Sequence, residues 1–320
     1  MTITPHDILL AAERIAPHVH QTPLWRLPSS ALGLRSDAPG FEVWLKLEHL
    51  QRSGSFKARG MFNRLLSHTI PAVGVIAASG GNAGIATAVA ANALGVPAEI
   101  FVPSISSPAK RARLAALGAR VVVGGNAYAD ALAACEARQH ETGALMTHAY
   151  DQPEVVAGAG TLAREIEQEA GRPDTVLVSV GGGGLIGGIA AWFEDRSRVV
   201  ALEPELAPTL HSARAAGRRV DVSVGGIAAD SLGARRLGAI AWELARRHVA
   251  ESLLLSDDAI LAAQRFLWDE FKLAVEPAAA LPLAALRSGA VQPAEGDRVC
   301  LIVCGANLDP ATLSGAQTAP

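Results

Sequence analysis

The sequence predicts an α/β protein with two open, twisted, mostly parallel sheets flanked by helices. Short apolar, partly β-branched runs alternate with Ala-rich helical runs through most of the 320 residues. Glycine-bearing turns join several of these predicted strands to the helix that follows, as in β-loop-α units. The alternation occurs both before and after residue 150, which indicates two sheets. Ligands bind at the carboxyl ends of such strands.

The first half of the chain supplies one set of predicted elements. A helix is expected within residues 1–20, because Ile8, Ala12 and Ile15 recur on one face after Pro5. The alternating run at residues 42–48 predicts a strand, preceded by a loop at residues 31–41. Further along, we predict helices at residues 57–66, 85–94, 109–117 and 128–141, and strands at residues 73–78, 98–102 and 120–123.

The second half repeats the pattern. Residues 205–230 are rich in Ala, Gly and Arg and favour neither a helix nor a strand. Pro277 occupies the first turn of a predicted helix, where proline is tolerated. The predicted helices are residues 152–170, 185–193, 232–249, 256–271 and 276–286, and the predicted strands are residues 175–180, 198–202 and 298–303.

Composition excludes several classes of function. A formal net charge of -3 gives no electrostatic case for binding nucleic acid or an anionic membrane. We expect no signal peptide and no membrane span, because no apolar run reaches about 20 residues. The cysteines Cys135, Cys300 and Cys304 are few and lack metal-ligand spacing, which fits a reducing, cytoplasmic setting. The histidines are also scattered, so we interpret them as core or surface residues.

Lys57 has the most unusual local setting of the four lysines in the chain. It opens a predicted helix after a strand and a polar loop, with Ser53 and Ser55 as candidate caps. An amine there would lie near the positive end of a helix dipole and beside Arg59. Both would favour its neutral, nucleophilic form. A solvated surface lysine is the alternative, and the flanking serines and Phe56 argue against it.

Four consecutive glycines, residues 181–184, follow a predicted strand and open a helix. Backbone N–H groups without side chains at a helix N-terminus suit a phosphate group. Each glycine costs roughly 0.5–1 kcal/mol of stability relative to alanine inside an element, so a steric requirement is indicated. A plain tight turn is the alternative interpretation.

The same run also satisfies a dinucleotide-binding fingerprint. Gly182, Gly184 and Gly187 have the G-x-G-x-x-G spacing, and Glu203 ends the next strand where a ribose-binding acid would lie. The pattern by itself therefore allows an NAD-dependent oxidoreductase or a nucleotide-binding module. This rival hypothesis gives no role to Lys57 or to the turn at residues 79–84.

That turn, Ser79-Gly80-Gly81-Asn82-Ala83-Gly84, offers a hydroxyl, an amide and free N–H groups at a helix start, which suits a carboxylate. A plain turn is equally compatible with the pattern. Cys304 ends an apolar strand, where most cysteines are small core residues. We interpret Cys135 and Cys300 as core residues in the same way.

Together these segments resemble the serine/threonine dehydratase branch of the fold-type II, pyridoxal-phosphate-dependent enzymes. The resemblance extends from Thr22 to Asn307, and residues 53–60 are similar to the family's cofactor-lysine motif. It implies pyridoxal 5'-phosphate as the cofactor, joined to Lys57 as a Schiff base, and allows for a mono- or divalent cation. It also implies a large domain of residues 1–72 and 146–320, and a small domain of residues 73–145 that closes over the substrate.

The resemblance assigns the other site residues by position. Cys304 would face the pyridine nitrogen, Asn82 the 3-hydroxyl and the four glycines the phosphate. Residues 158–161 match a family segment near the cofactor, and the family's cation site maps to Glu203 and Ala207, with Thr209 in place of an acid. The implied cofactor-binding residues are Phe56, Lys57, Asn82, Gly181, Gly182, Gly183, Gly184, Glu276 and Cys304. The implied substrate-binding residues are Ser55, Ser79, Gly80, Gly81, Asn82 and Ala83.

The implied reaction is the β-elimination of a small 3-hydroxy amino acid, L-threonine or L-serine, to a 2-oxo acid and ammonia, in a homodimer. Lys57 would take the α-proton, and the weakly acidic Cys304 would leave the ring nitrogen unprotonated, which favours elimination over transamination. Racemases of this family carry a serine at Gly80, so we predict little racemisation. A β-replacing enzyme such as a cysteine synthase, which shares the fold and cofactor, remains an alternative.

Overall fold

The computed structural model describes residues 2–34 and 39–314, so residues 35–38 of the predicted loop lie outside the described chain. Within this part the strands are β1 Leu24–Pro28, β2 Glu42–Lys46, β3 Val75–Ala78, β4 Ala98–Val102, β5 Arg120–Val123, β6 Leu145–Thr147, β7 Thr175–Ser179, β8 Arg198–Pro204, β9 Val249–Leu255 and β10 Arg298–Ile302.

The helices alternate with these strands. They are α1 Pro5–Ile15, α2 Lys57–Leu66, α3 Asn82–Ala93, α4 Pro108–Ala116, α5 Tyr128–Thr142, α6 Pro153–Ala170, α7 Gly184–Phe193, α8 Thr209–Ala216, α9 Ala239–His248, α10 Asp257–Phe271 and α11 Pro277–Arg287. None of the helices in the described ranges is long and apolar enough to cross a lipid bilayer.

Two sheets confirm the predicted fold class. The larger sheet has the strand order β1-β2-β10-β7-β8-β9, and only the edge pair β1–β2 is antiparallel. The smaller sheet has the order β5-β4-β3-β6 and is parallel throughout. Strand β7 is buried along its whole length, as expected for a parallel strand covered by helices on both faces.

Most predicted elements are present within a few residues of their predicted bounds. Four observed elements were not predicted: β1, β6, α8 and β9. The edge strand β1 ends at Pro28, β6 has three residues, and α8 lies in the ambiguous region. Strand β9 follows α9 without an intervening turn. The helix predicted over residues 232–249 ends within one residue of the observed end, but the observed helix begins only at Ala239, so the predicted start was wrong.

The fold places four loops at one cleft because the carboxyl ends of parallel strands share an edge of their sheet. In the larger sheet, Lys57 follows β2, the glycine run follows β7, and Cys304 follows β10. In the smaller sheet, the turn that begins at Ser79 follows β3. Helix α2 packs against both α3 and α6, so it connects the two sheets beside this cleft.

Candidate active site

Lys57 is the first residue of α2, and its side chain is half-buried near Cys304 and Glu276, the latter of which lines the cleft. Its Nζ donates a hydrogen bond to the backbone oxygen of Ala149 at 2.7 Å and lies 5.0 Å from the centroid of the Phe56 ring. Burial lowers the pKa of this amine from 10.5 to about 8, although the nearby Cys304 and Glu276 oppose the shift. About a tenth of Lys57 is therefore neutral at pH 7, far more than for a lysine of ordinary pKa.

The expected causes of that neutrality need correction. Arg59 does not face Lys57: its guanidinium pairs with Glu48 and Glu165, and burial is the cause of the shift. The predicted serine caps are also wrong, because Phe56 is the N-cap residue of α2 and no side chain caps it. The Ser55 hydroxyl is instead buried, with no hydrogen-bond partner among the described residues.

Asn82, Glu276 and Asn307 form a hydrogen-bonded group that lines the cleft. The Asn82 side-chain nitrogen donates to both oxygens of Glu276, at 2.9 and 3.0 Å, and Asn307 Nδ2 donates to Asn82 Oδ1 at 2.5 Å. Asn82 opens α3 of the smaller sheet, whereas Glu276 and Asn307 belong to the larger-sheet part. Burial raises the pKa of Glu276 from 4.5 to about 7, partly offset by the Asn82 hydrogen bond. Glu276 can therefore hold or release a proton near neutral pH.

Cys304 lies just beyond the end of β10 and is 3% exposed. Its backbone oxygen accepts a hydrogen bond from Phe56 N at 3.0 Å, which ties β10 to the start of α2. Burial, reinforced by the Glu276 charge, raises the pKa of the thiol well above 9.0. The thiol is consequently neutral. Cys135 and Cys300 are buried core residues, as predicted.

The glycine run forms a tight turn between β7 and α7. No described residue accepts a hydrogen bond from the N–H groups of Gly181, Gly182 or Gly183, and Gly183 has a φ of 91°. A Cβ on Gly182 would lie 2.2 Å from the Tyr150 ring, so no side chain fits there. The turn therefore presents free donors at a helix N-terminus, which is the arrangement that binds anions.

A cleft of about 770 Å³ separates the two sheets. Gly80, Gly81 and Asn82 line it from the smaller-sheet side, and Glu276 and Asn307 line it from the other. The backbone of Asp230 reaches to within 3.6 Å of the position of a Cβ on Gly81. The turn at residues 79–84 therefore faces the larger sheet directly, where a bound carboxylate would meet the start of α3.

An ion pair joins the two sides of this cleft. Lys110, on α4, pairs with Asp230, in the loop before α9. Both side chains are partly exposed and line the same cavity. No local pattern predicts this pair or the contacts of Ala149, Tyr150 and Asn307, because each of these contacts joins segments that are far apart in the chain.

The predicted cation ligands, Glu203 and Ala207, do not line the cleft and lie beside α8. The Glu203 carboxylate is buried and accepts hydrogen bonds from the backbone of Leu210 and His211 and from the hydroxyls of Thr209 and Ser252, at 2.7–3.1 Å. These donors satisfy both carboxylate oxygens. The described residues contain no group of three or more His, Cys, Asp or Glu side chains that could hold a metal ion. The cation site at Glu203 and Ala207 stays a prediction.

The same contacts bear on the dinucleotide hypothesis. Glu203 is fully buried, and both of its carboxylate oxygens already accept hydrogen bonds from the start of α8 and from Ser252, so the carboxylate is not free to bind a ribose hydroxyl. Residues 158–161 lie within α6, where Thr161 contacts Arg59 at 3.3 Å. This segment supports α2 from behind instead of lining the cleft.

The residues present fit a phosphorylated aldehyde such as pyridoxal phosphate. Lys57 supplies an amine of lowered pKa, and the glycine turn supplies free backbone donors for a phosphate. The Ser55 hydroxyl and Asn307 Oδ1 are buried polar atoms without partners in the described chain, as expected where a polar group is to bind. The neutral thiol of Cys304 is a further group that could bind a polar atom of the cofactor.

Comparison with known proteins points the same way. The family model described as "Pyridoxal-phosphate dependent enzyme" matches residues 15–305. L-threonine ammonia-lyase of Geobacter sulfurreducens is 37% identical over 284 residues, covering 87% of this chain and 70% of that enzyme. Phenylserine dehydratase of Ralstonia pickettii is 38% identical over 281 residues, 86% of each chain. The structure of maize serine racemase superposes with a TM-score of 0.89 at 30% identity, covering 98% and 96% of the two chains.

Proposed function

This chain belongs to the pyridoxal-phosphate-dependent enzymes, in the serine/threonine dehydratase family, and on that premise we propose that it eliminates water from L-threonine, L-serine or a related 3-hydroxy amino acid. The products are a 2-oxo acid and ammonia. The observation that carries the proposal is the half-buried Lys57 amine, whose pKa is lowered to about 8. It donates to the Ala149 oxygen, and the next residue, Tyr150, packs against Gly182 in the turn of free backbone donors.

Each side chain has a distinct task in this reaction. Pyridoxal phosphate, when bound, supplies an aldehyde and an electron-withdrawing ring that make the α-hydrogen of the amino acid acidic. Lys57 binds the cofactor and, once released, accepts the α-proton at Nζ. Gly181 to Gly184 hold the phosphate through backbone N–H groups. Phe56, which adjoins the Lys57 amine, contributes to the cofactor pocket.

The substrate is held from the smaller-sheet side. The turn formed by Ser79, Gly80, Gly81, Asn82 and Ala83 binds the carboxylate of the amino acid at the start of α3, and the Ser55 hydroxyl contributes a further polar contact. Asn82 also orients the cofactor, and Glu276 fixes the Asn82 amide through two hydrogen bonds. The unit of residues 73–145 closes over the bound substrate. Strand β6, which begins at Leu145, crosses the boundary of that unit.

Two residues favour elimination over the other reactions of the family. The neutral Cys304 thiol would be the partner of the cofactor's ring nitrogen, and it is too weak an acid to protonate that nitrogen as a carboxylic acid would, which restricts transamination. Gly80 carries no hydroxyl that could deliver a proton to the opposite face of the substrate. The chain should therefore form little D-serine, even though it superposes on maize serine racemase.

The test is a panel of 3-hydroxy amino acids incubated with the purified protein, with the 2-oxo acid as readout. Release of a 2-oxo acid from L-threonine or L-serine supports the proposal. Capture of the reaction intermediate by added sulfide, before ammonia is lost, would instead indicate a β-replacing enzyme. Formation of D-serine at a rate near that of elimination would indicate a racemase.

The proposal includes a homodimer in the cytoplasm. Cys135, Cys300 and Cys304 are free and buried, which suits a reducing compartment. Exposed apolar side chains, among them Leu9, Leu10 and Trp25, offer surface for a second copy. Sedimentation equilibrium should give twice the mass of one chain, and the mass of a single chain would contradict the dimer.

A further inference from the structure

Four charged side chains are buried together behind α2, on the side away from the cleft. Lys46 and Glu48 have no exposed side-chain surface, Arg59 is 2% exposed and Glu165 is 12% exposed. We call these four residues the buried charge cluster. Two cations and two anions make it neutral in sum, and it lies outside the site described above.

The four groups form an alternating chain of ion pairs. Arg59 donates to both oxygens of Glu48, at 2.8 and 2.7 Å, and its Nη2 also lies 2.8 Å from Glu165 Oε2. Lys46 Nζ donates to the other oxygen of Glu165 at 2.6 Å. Because a guanidinium with two carboxylate neighbours has a fixed planar geometry, the direction of Arg59 is determined by these contacts.

Neutral groups extend the buried charge cluster to further segments. Thr22 donates from its hydroxyl to Glu48 at 2.5 Å and from its backbone to Glu165 at 2.8 Å, and its carbonyl accepts from Lys46 at 2.7 Å. The cluster therefore ties together the chain before β1, the end of β2, the turn at Glu48, the first turn of α2, and α6.

Stability alone is a poor explanation for such a cluster, because desolvation of buried charges offsets most of the attraction between them. Burial alone would raise the pKa of Glu48, but Arg59, Thr22 and Lys46 outweigh it and hold that pKa below 4.5. The charges therefore persist in the folded protein. Their geometric effect is to restrict where α2 can begin.

Lys57 and Arg59 point to opposite sides of α2. Two residues along an α-helix are separated by about 200°, so Lys57 faces the cleft while Arg59 faces the buried charge cluster. The backbone of α2 also packs closely against α6 at Arg59, because a Cβ on Gly158 of α6 would lie 2.5 Å from the Arg59 carbonyl oxygen. The first turn of α2 is thus clamped between α6 and the cluster.

We infer that Lys46, Glu48, Arg59 and Glu165 are positioning residues that hold the first turn of α2 so that the Lys57 amine stays buried and aimed into the site. The inference rests on the proposed function, in which Lys57 must leave and rejoin the cofactor in every turnover. None of the four residues touches the reacting atoms.

The test compares folding with the reactivity of one amine. The double variant Glu48→Met/Arg59→Met removes one cation and one anion, and it fills their space with apolar side chains of similar volume. The full-length protein, freed of cofactor, is mixed with pyridoxal phosphate, reduced with borohydride at timed intervals, and digested for mass spectrometry of the Lys57 peptide. We expect labelling of Lys57 to slow by at least tenfold, while the urea midpoint of unfolding changes little.

The pH dependence of labelling gives a second readout, which a purely structural role would not move. In the wild type, labelling should rise with a midpoint near the Lys57 pKa of about 8. In the double variant, a loosened and hydrated amine should titrate closer to the ordinary 10.5. An unchanged rate and an unchanged midpoint would overturn the inference.

Two further variants keep the result interpretable. Asp174→Asn/Arg298→Met removes a bidentate ion pair at the amino ends of β7 and β10, the ends away from the glycine turn and Cys304, and it should leave Lys57 labelling unchanged. If the double variant in the buried charge cluster fails to fold, Arg59→Lys, which keeps the charge but loses the planar fork, must itself slow labelling or the inference is wrong. Absence of Lys57 labelling in the wild type would overturn the proposed function instead.

Discussion

Glu48 and Glu276 are both buried carboxylates near the start of α2, yet their surroundings move their pKa values in opposite directions. Glu48 lies behind α2 and faces the Arg59 guanidinium, which holds its pKa below 4.5 despite burial. Glu276 lies on the cleft side and faces the Asn82 amide, so burial prevails and raises its pKa to about 7. The identity of one partner side chain decides the charge of each group.

This difference in pKa separates a region that positions α2 from a region that can exchange protons. A carboxylate paired with a guanidinium keeps its charge at every physiological pH, so it can fix a geometry but cannot exchange protons. A carboxyl group beside an amide changes charge near neutral pH, as do groups used in catalysis. Lys57, with a pKa of about 8, lies near Glu276 and likewise changes charge near neutral pH. The chemistry should therefore reside on the cleft face of α2.

The largest expected effect tests that division directly. Lys57→Ala should lower the rate of 2-oxo acid formation by at least about a thousandfold, because the amine both binds the cofactor and moves the α-proton. The protein should also fail to take up the yellow colour of the bound cofactor. Lys272→Ala, at an exposed lysine, is the matched control and should retain full activity. Turnover by the Lys57 variant would show that the site is assigned wrongly.

Substitution of one polar side chain should affect stability very differently in the buried charge cluster and at the cleft. Arg59→Met leaves Glu48 and Glu165 buried without their shared cation, so the free energy of unfolding should fall by about 3–5 kcal/mol. At pH 7, where the contribution of the Glu276 proton is mostly lost, Glu276→Gln removes no ion pair and should change it by less than about 1 kcal/mol. Urea unfolding of both variants measures the contrast. Equal losses would mean that the two carboxyl groups do not differ as described.

The pH dependence of stability should also separate the two groups. The folded protein binds the Glu276 proton more tightly than the unfolded chain, so this group's contribution is largest below pH 4.5 and is lost as the pH rises to about 7. Glu48 behaves oppositely, because its contribution is lost as the pH falls below 4.5. Lys57, Cys304 and Asp230 are the charged or titratable groups around Glu276.

The cofactor-free wild type and its Glu276→Gln variant provide the measurement. The difference between their free energies of unfolding should decrease by up to about 3 kcal/mol across the pH range from 4.5 to about 7. Lys57 titrates above this range and is present in both proteins. A difference that is constant with pH would show that Glu276 is ionised throughout.

The smallest effect is expected at the mouth of the cleft. Lys110 and Asp230 are partly exposed, and such pairs contribute less than about 1 kcal/mol. Lys110→Ala and Asp230→Asn should each raise KM for the amino acid by no more than about fivefold, and the double variant should add little to either. The exposed pair Arg120–Glu99, within the smaller sheet, serves as the control. A large loss of kcat would place Lys110 in the chemistry itself.

Much of the fold could be predicted because its signals are local. Strand β7, with its continuous apolar run, and α6, with its helical periodicity, were found close to their observed bounds. Strand β9 was missed because it follows α9 without a turn residue, and β6 is too short to show a period. The Asn82–Glu276 contact could not be foreseen, since 194 residues separate the two partners.

The sequence by itself determined the α/β architecture and the strand-to-helix turns, and it predicted Lys57 as the reactive amine. Each of these depends on residues that are neighbours in the chain. Only the tertiary structure decided that Arg59 faces away from Lys57 and that burial lowers the pKa of the amine. It also decided that Glu48 stays charged while Glu276 changes charge near neutral pH. Burial and charge pairing depend on which distant segments come together, and no local pattern records that.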